Sequence, residues 1–389
     1  MCSSLFYGDL CVIRAYVRYG RWHIDIEVRR IVRLTSRLLC RIRIIQLQCA
    51  VADRFGTALI AGRPMEFIRR HVVFILALVM ASFLQGVSAT PLTLAIADLP
   101  VFSVALVAED QGFFAAEGLD LKVIHCVNGK RCLKHMLDGE AQYATVADTP
   151  LVFAALEGKK FQILATIAGS ARNTLFLART DRGIRTAADL KGKRIGVVHG
   201  TTAHYFADTM LLFNGIAMSE VTLVSLDAAD PGGALLRGEV DAAALYNPFG
   251  ARAQVAGGKL LVKLQSPSTF NITANLVGLP HAAGGKASDA AKLLRALKKA
   301  VDFIEREPAR ARLSVATRLR MAGPELESQW GEYDFALSLS QALVLSLEAQ
   351  TRWVIRERLV PGARMPDYLD FVDLEPLRLV DAKAVSIIK

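Results

Sequence analysis

From residue 92 onward, short apolar runs bounded by turn residues alternate with stretches whose apolar positions recur every three to four residues. The first pattern predicts strands and the second helices, so the alternation predicts α/β layers built on largely parallel sheets. Strands are expected at 92–97, 121–125, 143–146 and 161–167, with helices between them at 101–117, 130–137 and 149–157. A second set follows, with strands at 194–198, 221–225, 242–246 and 260–265 and a helix over 202–214 stopped by Gly215. Two more strand-like runs, 173–178 and 272–278, flank the second set and read as paired strands by which the chain leaves a first lobe and returns to it. Helical periodicity then fills 287–306, 308–317, 324–335 and 338–357.

The front of the chain follows another rule. Arg69-Arg70, an uncharged apolar stretch over 72–84 and Val87-Ser88-Ala89 before Thr90 make residues 65–89 a secretory signal peptide. Gln85-Gly86 interrupts the stretch before it reaches the roughly 20 apolar residues of a membrane-spanning helix. Ahead of it, residues 1–64 form a basic leader with Arg29, Arg30, Arg33, Arg37, Arg41 and Arg43 among apolar residues. Two readings of it stay open: a misassigned start, with Met65 the true beginning, or an amphipathic basic helix over 31–47 lying on a membrane surface.

Charge follows this division. The whole chain carries 47 basic and 37 acidic side chains, net +10, but from Thr90 onward the counts are 34 and 32, net +2. The basic balance therefore belongs to the leader, and the remainder has no basic stripe interleaved with aromatics, so no nucleic-acid partner is expected. The remaining 300 residues suffice for two compact lobes with separate cores.

Candidate chemistry gathers where apolar runs end in small, hydroxyl or amide residues just before a helix. Three such places are Ala147-Asp148-Thr149-Pro150, His199-Gly200-Thr201-Thr202 and Tyr246-Asn247-Pro248. Each puts backbone N–H groups and short polar side chains at the rim of a sheet, where an anion is stabilised. A plain helix cap explains Asp148, Thr201 or Thr202 equally well, and Asn-Pro is a common turn signal. Cys126 and Cys132 are the only cysteines after the signal; the Asn128-Gly129 turn between them favours a disulfide in an oxidising compartment, and no metal site is expected.

These residues resemble the periplasmic substrate-binding proteins of ABC importers, of the nitrate/sulfonate/taurine type with its thiamine-precursor-like relatives. The matching stretches are Gln111-Gly112-Phe113-Phe114-Ala115-Ala116-Glu117-Gly118-Leu119, Asp148-Thr149-Pro150, Gly200-Thr201-Thr202-Ala203-His204-Tyr205, and Gly238-Glu239-Val240-Asp241-Ala242 leading to Tyr246-Asn247-Pro248. The resemblance implies a two-lobe, type II periplasmic-binding-protein-like α/β fold, each lobe a sheet flanked by helices. Lobe I takes 90–175 plus 275–389 and lobe II 176–274.

It also implies a small ligand, without a cofactor, held by Asp98, Pro100, Phe102, Asp148, Thr149, Arg172, Gly200, Thr201, Thr202, Tyr246 and Asn247. Asparagine at 247, where many relatives carry an acidic residue, favours an anionic or neutral ligand. The expected role is delivery to a membrane permease and its ATPase from the periplasm, by a monomer. The alternative is a thiamine-pyrimidine-precursor binder or biosynthetic enzyme of the same fold. His199 and His204 invite that reading, but no cysteine cluster, G-x-S-x-G elbow, Walker A loop or H-E-x-x-H motif accompanies them, so catalysis is not expected.

Overall fold

The computed structural model describes residues 2–7, 10–19, 22–31, 92–265, 270–280 and 287–388. The expected signal at 65–89 lies outside them, as does the alternative helix over 31–47 but for Ile31, the last residue of a strand. In the front unit, β1 (Cys2–Tyr7), β2 (Leu10–Tyr19) and β3 (Trp22–Ile31) form an antiparallel meander. The two-residue alternation in Trp22-His23-Ile24-Asp25-Ile26-Glu27-Val28 is the strand period.

From Thr90 the chain forms a separate unit. It opens with β4 (Leu92–Ala97), α1 (Ser103–Asp110), α2 (Phe113–Ala116), β5 (Leu121–Cys126), α3 (Gly129–Leu137), β6 (Tyr143–Ala147), α4 (Asp148–Leu156) and β7 (Gln162–Ser170). Next come β8 (Thr174–Arg179), β9 (Arg194–Val197), α5 (Thr202–Phe213), β10 (Thr222–Ser225), α6 (Pro231–Leu236), β11 (Ala242–Tyr246), α7 (Phe249–Gly257) and β12 (Leu261–Leu264). The chain then adds β13 (Ile272–Gly278), α8 (Ala287–Arg306), α9 (Pro308–Leu319), α10 (Gly323–Trp330), α11 (Gln341–Arg356) and α12 (Glu375–Arg378).

Two five-stranded sheets result, ordered β5-β4-β6-β13-β7 and β10-β9-β11-β8-β12. They share one plan. In each, four strands run in one direction and the fifth, β13 or β8, lies reversed between two of them. The sheets are therefore largely parallel with one reversed strand each, and the two crossing runs, expected to pair with each other, pair instead with different sheets. A strand reached by crossing from the other sheet has no right-handed helical connection to align it parallel, so it enters reversed.

Burial explains the strands. All five residues of β11 and five of the six in β4 are buried, the near-continuous apolar run of a strand covered on both faces. In α8 the buried positions Ala290, Leu293, Leu294, Leu297, Ala300, Val301 and Ile304 keep the helical period, while Arg295 and Lys299 on another face hold Glu117 at 2.7 Å each. The single helix expected over 101–117 is broken at Gly112, whose φ of 68° is left-handed.

Candidate ligand-binding site

The site is built from helix starts. After β5, Asn128 adopts an extended backbone and its side chain accepts the Arg131 N–H at 2.9 Å, opening α3. Gly129 follows because a Cβ there would lie 3.1 Å from Ala147 N and Val146 Cα and 3.3 Å from the Phe102 ring. After β6, Ala147 opens α4 without a side-chain cap. After β9, Gly200 turns at φ 67° and Thr201 precedes α5. The Thr201 hydroxyl donates back to the Val198 carbonyl at 2.6 Å and does not cap the helix. The starts of α3, α4 and α5 thus meet around one cavity of about 30 Å³, lined by Phe102, Asn128, Gly129, Lys130, Ala147, Pro150, Asn173, Thr201, Thr202 and Tyr246 among others. That is room for about one or two waters.

Two bonds between elements of different sheets hold it this small. The Asn128 amide donates to the Tyr246 hydroxyl at 3.3 Å, and the Lys130 ammonium donates to the His199 carbonyl at 2.7 Å. Burial pushes the Lys130 pKa down, opposed by Glu157. No carboxylate lines this cavity, and Lys130 is its one charged wall residue.

Of the residues named from sequence, Phe102, Thr201, Thr202 and Tyr246 line this cavity together, and Gly200 lines a larger neighbouring one. The others stand elsewhere. Asp98 does not face the cavity: it pairs with His125 Nδ1 at 2.8 Å, and His125 Nε2 meets Glu109 and Arg318. Pro100 is buried in the 3-10 turn after β4. Asp148 is sealed rather than open to ligand. Its carboxylate accepts N–H groups from Thr149 at 2.8 Å and Thr273 at 3.3 Å, and burial pushes its pKa up to about 6 against those bonds. Thr149 is turned away as well, its hydroxyl donating to Gln350 of α11 at 2.6 Å. Arg172 is exposed, 4.0 Å from Glu332. Asn247 is buried, its N–H on the Asn173 carbonyl at 2.8 Å and its amide reaching Glu332 at 3.4 Å.

Asn128, Lys130 and Asn173 were not anticipated. A signal existed for Lys130: a cation in the first turn of a helix opposes the helix dipole, which favours anions there. Its presence calls for another cause. Cys126 and Cys132 lie with Cα atoms 5.6 Å apart and their sulfurs within bonding distance. Among the described residues, no group of His, Cys, Asp or Glu is placed to hold a metal ion, and no helix is long and apolar enough to cross a membrane.

Comparison with known proteins places this geometry. The chain is 25% identical over 135 residues to a putative aliphatic sulfonates-binding protein of Escherichia coli, covering 35% of this chain and 42% of that relative, so the match spans less than half of the relative's length. In structure it is similar to the alkanesulfonate-binding protein SsuA from Xanthomonas axonopodis pv. citri bound to MOPS, with a TM-score of 0.66 at 20% identity over 74% of this chain and all of that one. The desulfurization enzyme DSZB is also similar, with a TM-score of 0.56 at 17% identity over 75% and 99% of the two chains. At such identities these likenesses establish the fold, that of periplasmic binding proteins. The family model described as NMT1/THI5 like matches residues 99–311, more than half of the chain, and the chain belongs to that family.

Proposed function

We propose that this protein is the solute-binding component of an ABC importer, taking a small anion of the nitrate, sulfonate or taurine kind between two lobes and delivering it to a membrane permease from the periplasm. The lobes would be 90–175 plus 275–389 and 176–274, each carrying one sheet. One observation carries the reading: three helix starts and the Lys130 ammonium surround a single cavity with no carboxylate in its wall. A cavity of about 30 Å³ admits no sulfonate, so the lobes must part for the ligand to enter and close again upon it.

An enzyme shares the fold, so catalysis is the competing reading. Cys126 and Cys132, the only cysteines after residue 90, lie beside each other and line neither cavity, which favours binding over thiol chemistry. The test is a thermal-shift screen against nitrate, taurine and short sulfonates, followed by solution scattering. A ligand selective for the folded form raises the melting temperature by mass action and alters the scattering radius as the lobes move. Neither response at saturating concentration of any of these anions rejects the reading.

A further inference from the structure

Asn128 sets the direction of the hydrogen bonds at the small cavity. Its Oδ1 accepts the Arg131 N–H at 2.9 Å as the cap of α3, which leaves the amide Nδ2 to meet the Tyr246 hydroxyl at 3.3 Å. Both side chains line the cavity. An amide nitrogen donates and does not accept, so the Tyr246 oxygen is the acceptor in that bond and its own proton is left over. Among the described residues nothing takes that proton, although Tyr246 is only 5% exposed. Burial raises the pKa of the phenol against the Asn128 bond, so the proton stays in place at neutral pH.

The pair also crosses between the sheets. Asn128 follows β5 of one sheet and Tyr246 ends β11 of the other, so the bond exists only while the two halves are together. With the halves apart, the phenol can present its oxygen as readily as its proton. With them together, the oxygen is occupied and only the proton is free.

We propose that Asn128 is a positioning residue: when the lobes close on an anion, its amide occupies the Tyr246 oxygen and turns the Tyr246 proton onto the ligand. A contact directed in the closed form and not in the open one is what lets a ligand favour closure. The inference rests on the anion-binding reading and adds to it the residue that makes the contact depend on closure.

The test is calorimetric titration of the full chain with methanesulfonate, taurine and nitrate. Tyr246→Phe should weaken binding about tenfold or more, the range for a hydrogen bond to a charged group. Asn128→Asp separates the causes, because aspartate caps a helix as well as asparagine does and still bonds the phenol, but as an acceptor that takes the proton away from the ligand. Its added charge repels an anion whether or not the phenol is present, so its effect is measured in two backgrounds. The loss caused by Asn128→Asp should be about tenfold larger in the chain with Tyr246 than in Tyr246→Phe, where there is no proton to misdirect. Thermal melts of each ligand-free variant check that it folds. Equal losses in the two backgrounds, or full affinity in Tyr246→Phe, overturn the positioning role and leave anion binding standing. Failure of all three anions to bind the wild type removes the anion-binding reading and this inference with it.

Discussion

Trp353 and His204 meet edge to face, ring centroids 5.0 Å apart and planes at 83°. Trp353 belongs to α11, which packs on α4 through Gln350 and Thr149, whereas His204 belongs to the first turn of α5 beside the other sheet. The same indole also meets Tyr205 at 5.1 Å and Phe153 at 5.9 Å. One side chain thus joins the two halves behind the cavities, and it does so by burying an imidazole.

That burial makes stability depend on pH. Burial, with smaller contributions from His199 and Lys130, lowers the His204 pKa from 6.5 to about 3. The unfolded chain takes up the proton first as pH falls, so the stabilisation is complete above 6.5 and is lost as pH falls from there toward 3. Between pH 7.5 and 5 the loss is roughly 2 kcal/mol. Urea midpoints of wild type and His204→Gln should converge over that interval, and parallel curves would refute the assignment.

How much of this was legible depends on how local each signal is. β11 and β4 announce themselves as unbroken apolar runs, and the helix start at Thr201 as a glycine-hydroxyl turn. Strand direction was not local: β8 and β13 run antiparallel because of where the chain has come from. The short helix α6 begins Pro231-Gly232-Gly233, which reads as a breaker because glycine costs a helix roughly 1 kcal/mol relative to alanine. Asp148 and Thr149 look like cleft residues until α11, some 200 positions later, closes over them. Lys130 was hidden by Asn128-Gly129, taken for a turn when it is a helix cap.

Arg356 and Asp208 form a second tie between α11 and α5, at 2.5 Å. Asp208 is 3% exposed, and burial raises its pKa while Arg356 lowers it. Arg356→Ala strands a buried carboxylate, at a cost of about 2–3 kcal/mol, below the usual figure for a buried pair because the arginine is half exposed. Asp208→Asn in the same chain should recover most of that loss in thermal melts. A single variant as stable as wild type would show that the pair contributes nothing.

The sulfurs of Cys126 and Cys132 are placed to join across the cap that opens α3. A bridge closing so short a loop stabilises by about 2 kcal/mol through the unfolded chain. The protein purified without reductant should therefore resist alkylation at both cysteines until reduced, and Cys132→Ser should lower the melting temperature. Two thiols alkylated without reductant would exclude the bridge.

Lys130 bears most directly on function. It lies in the first turn of α3, where the helix dipole disfavours a cation, and its ammonium has only the His199 carbonyl as partner. A bound anion offsets both costs at once. Lys130→Met keeps the stem and removes the charge, so it should weaken binding of a small sulfonate roughly tenfold to a hundredfold, the range for a hydrogen bond to a charged group. That substitution removes an unfavourable interaction with the helix start and, against it, the bond to the His199 carbonyl, so the ligand-free protein should melt close to wild type. Lost affinity with unchanged or raised stability separates a ligand contact from a structural one; lost stability with intact affinity would assign Lys130 to holding the fold.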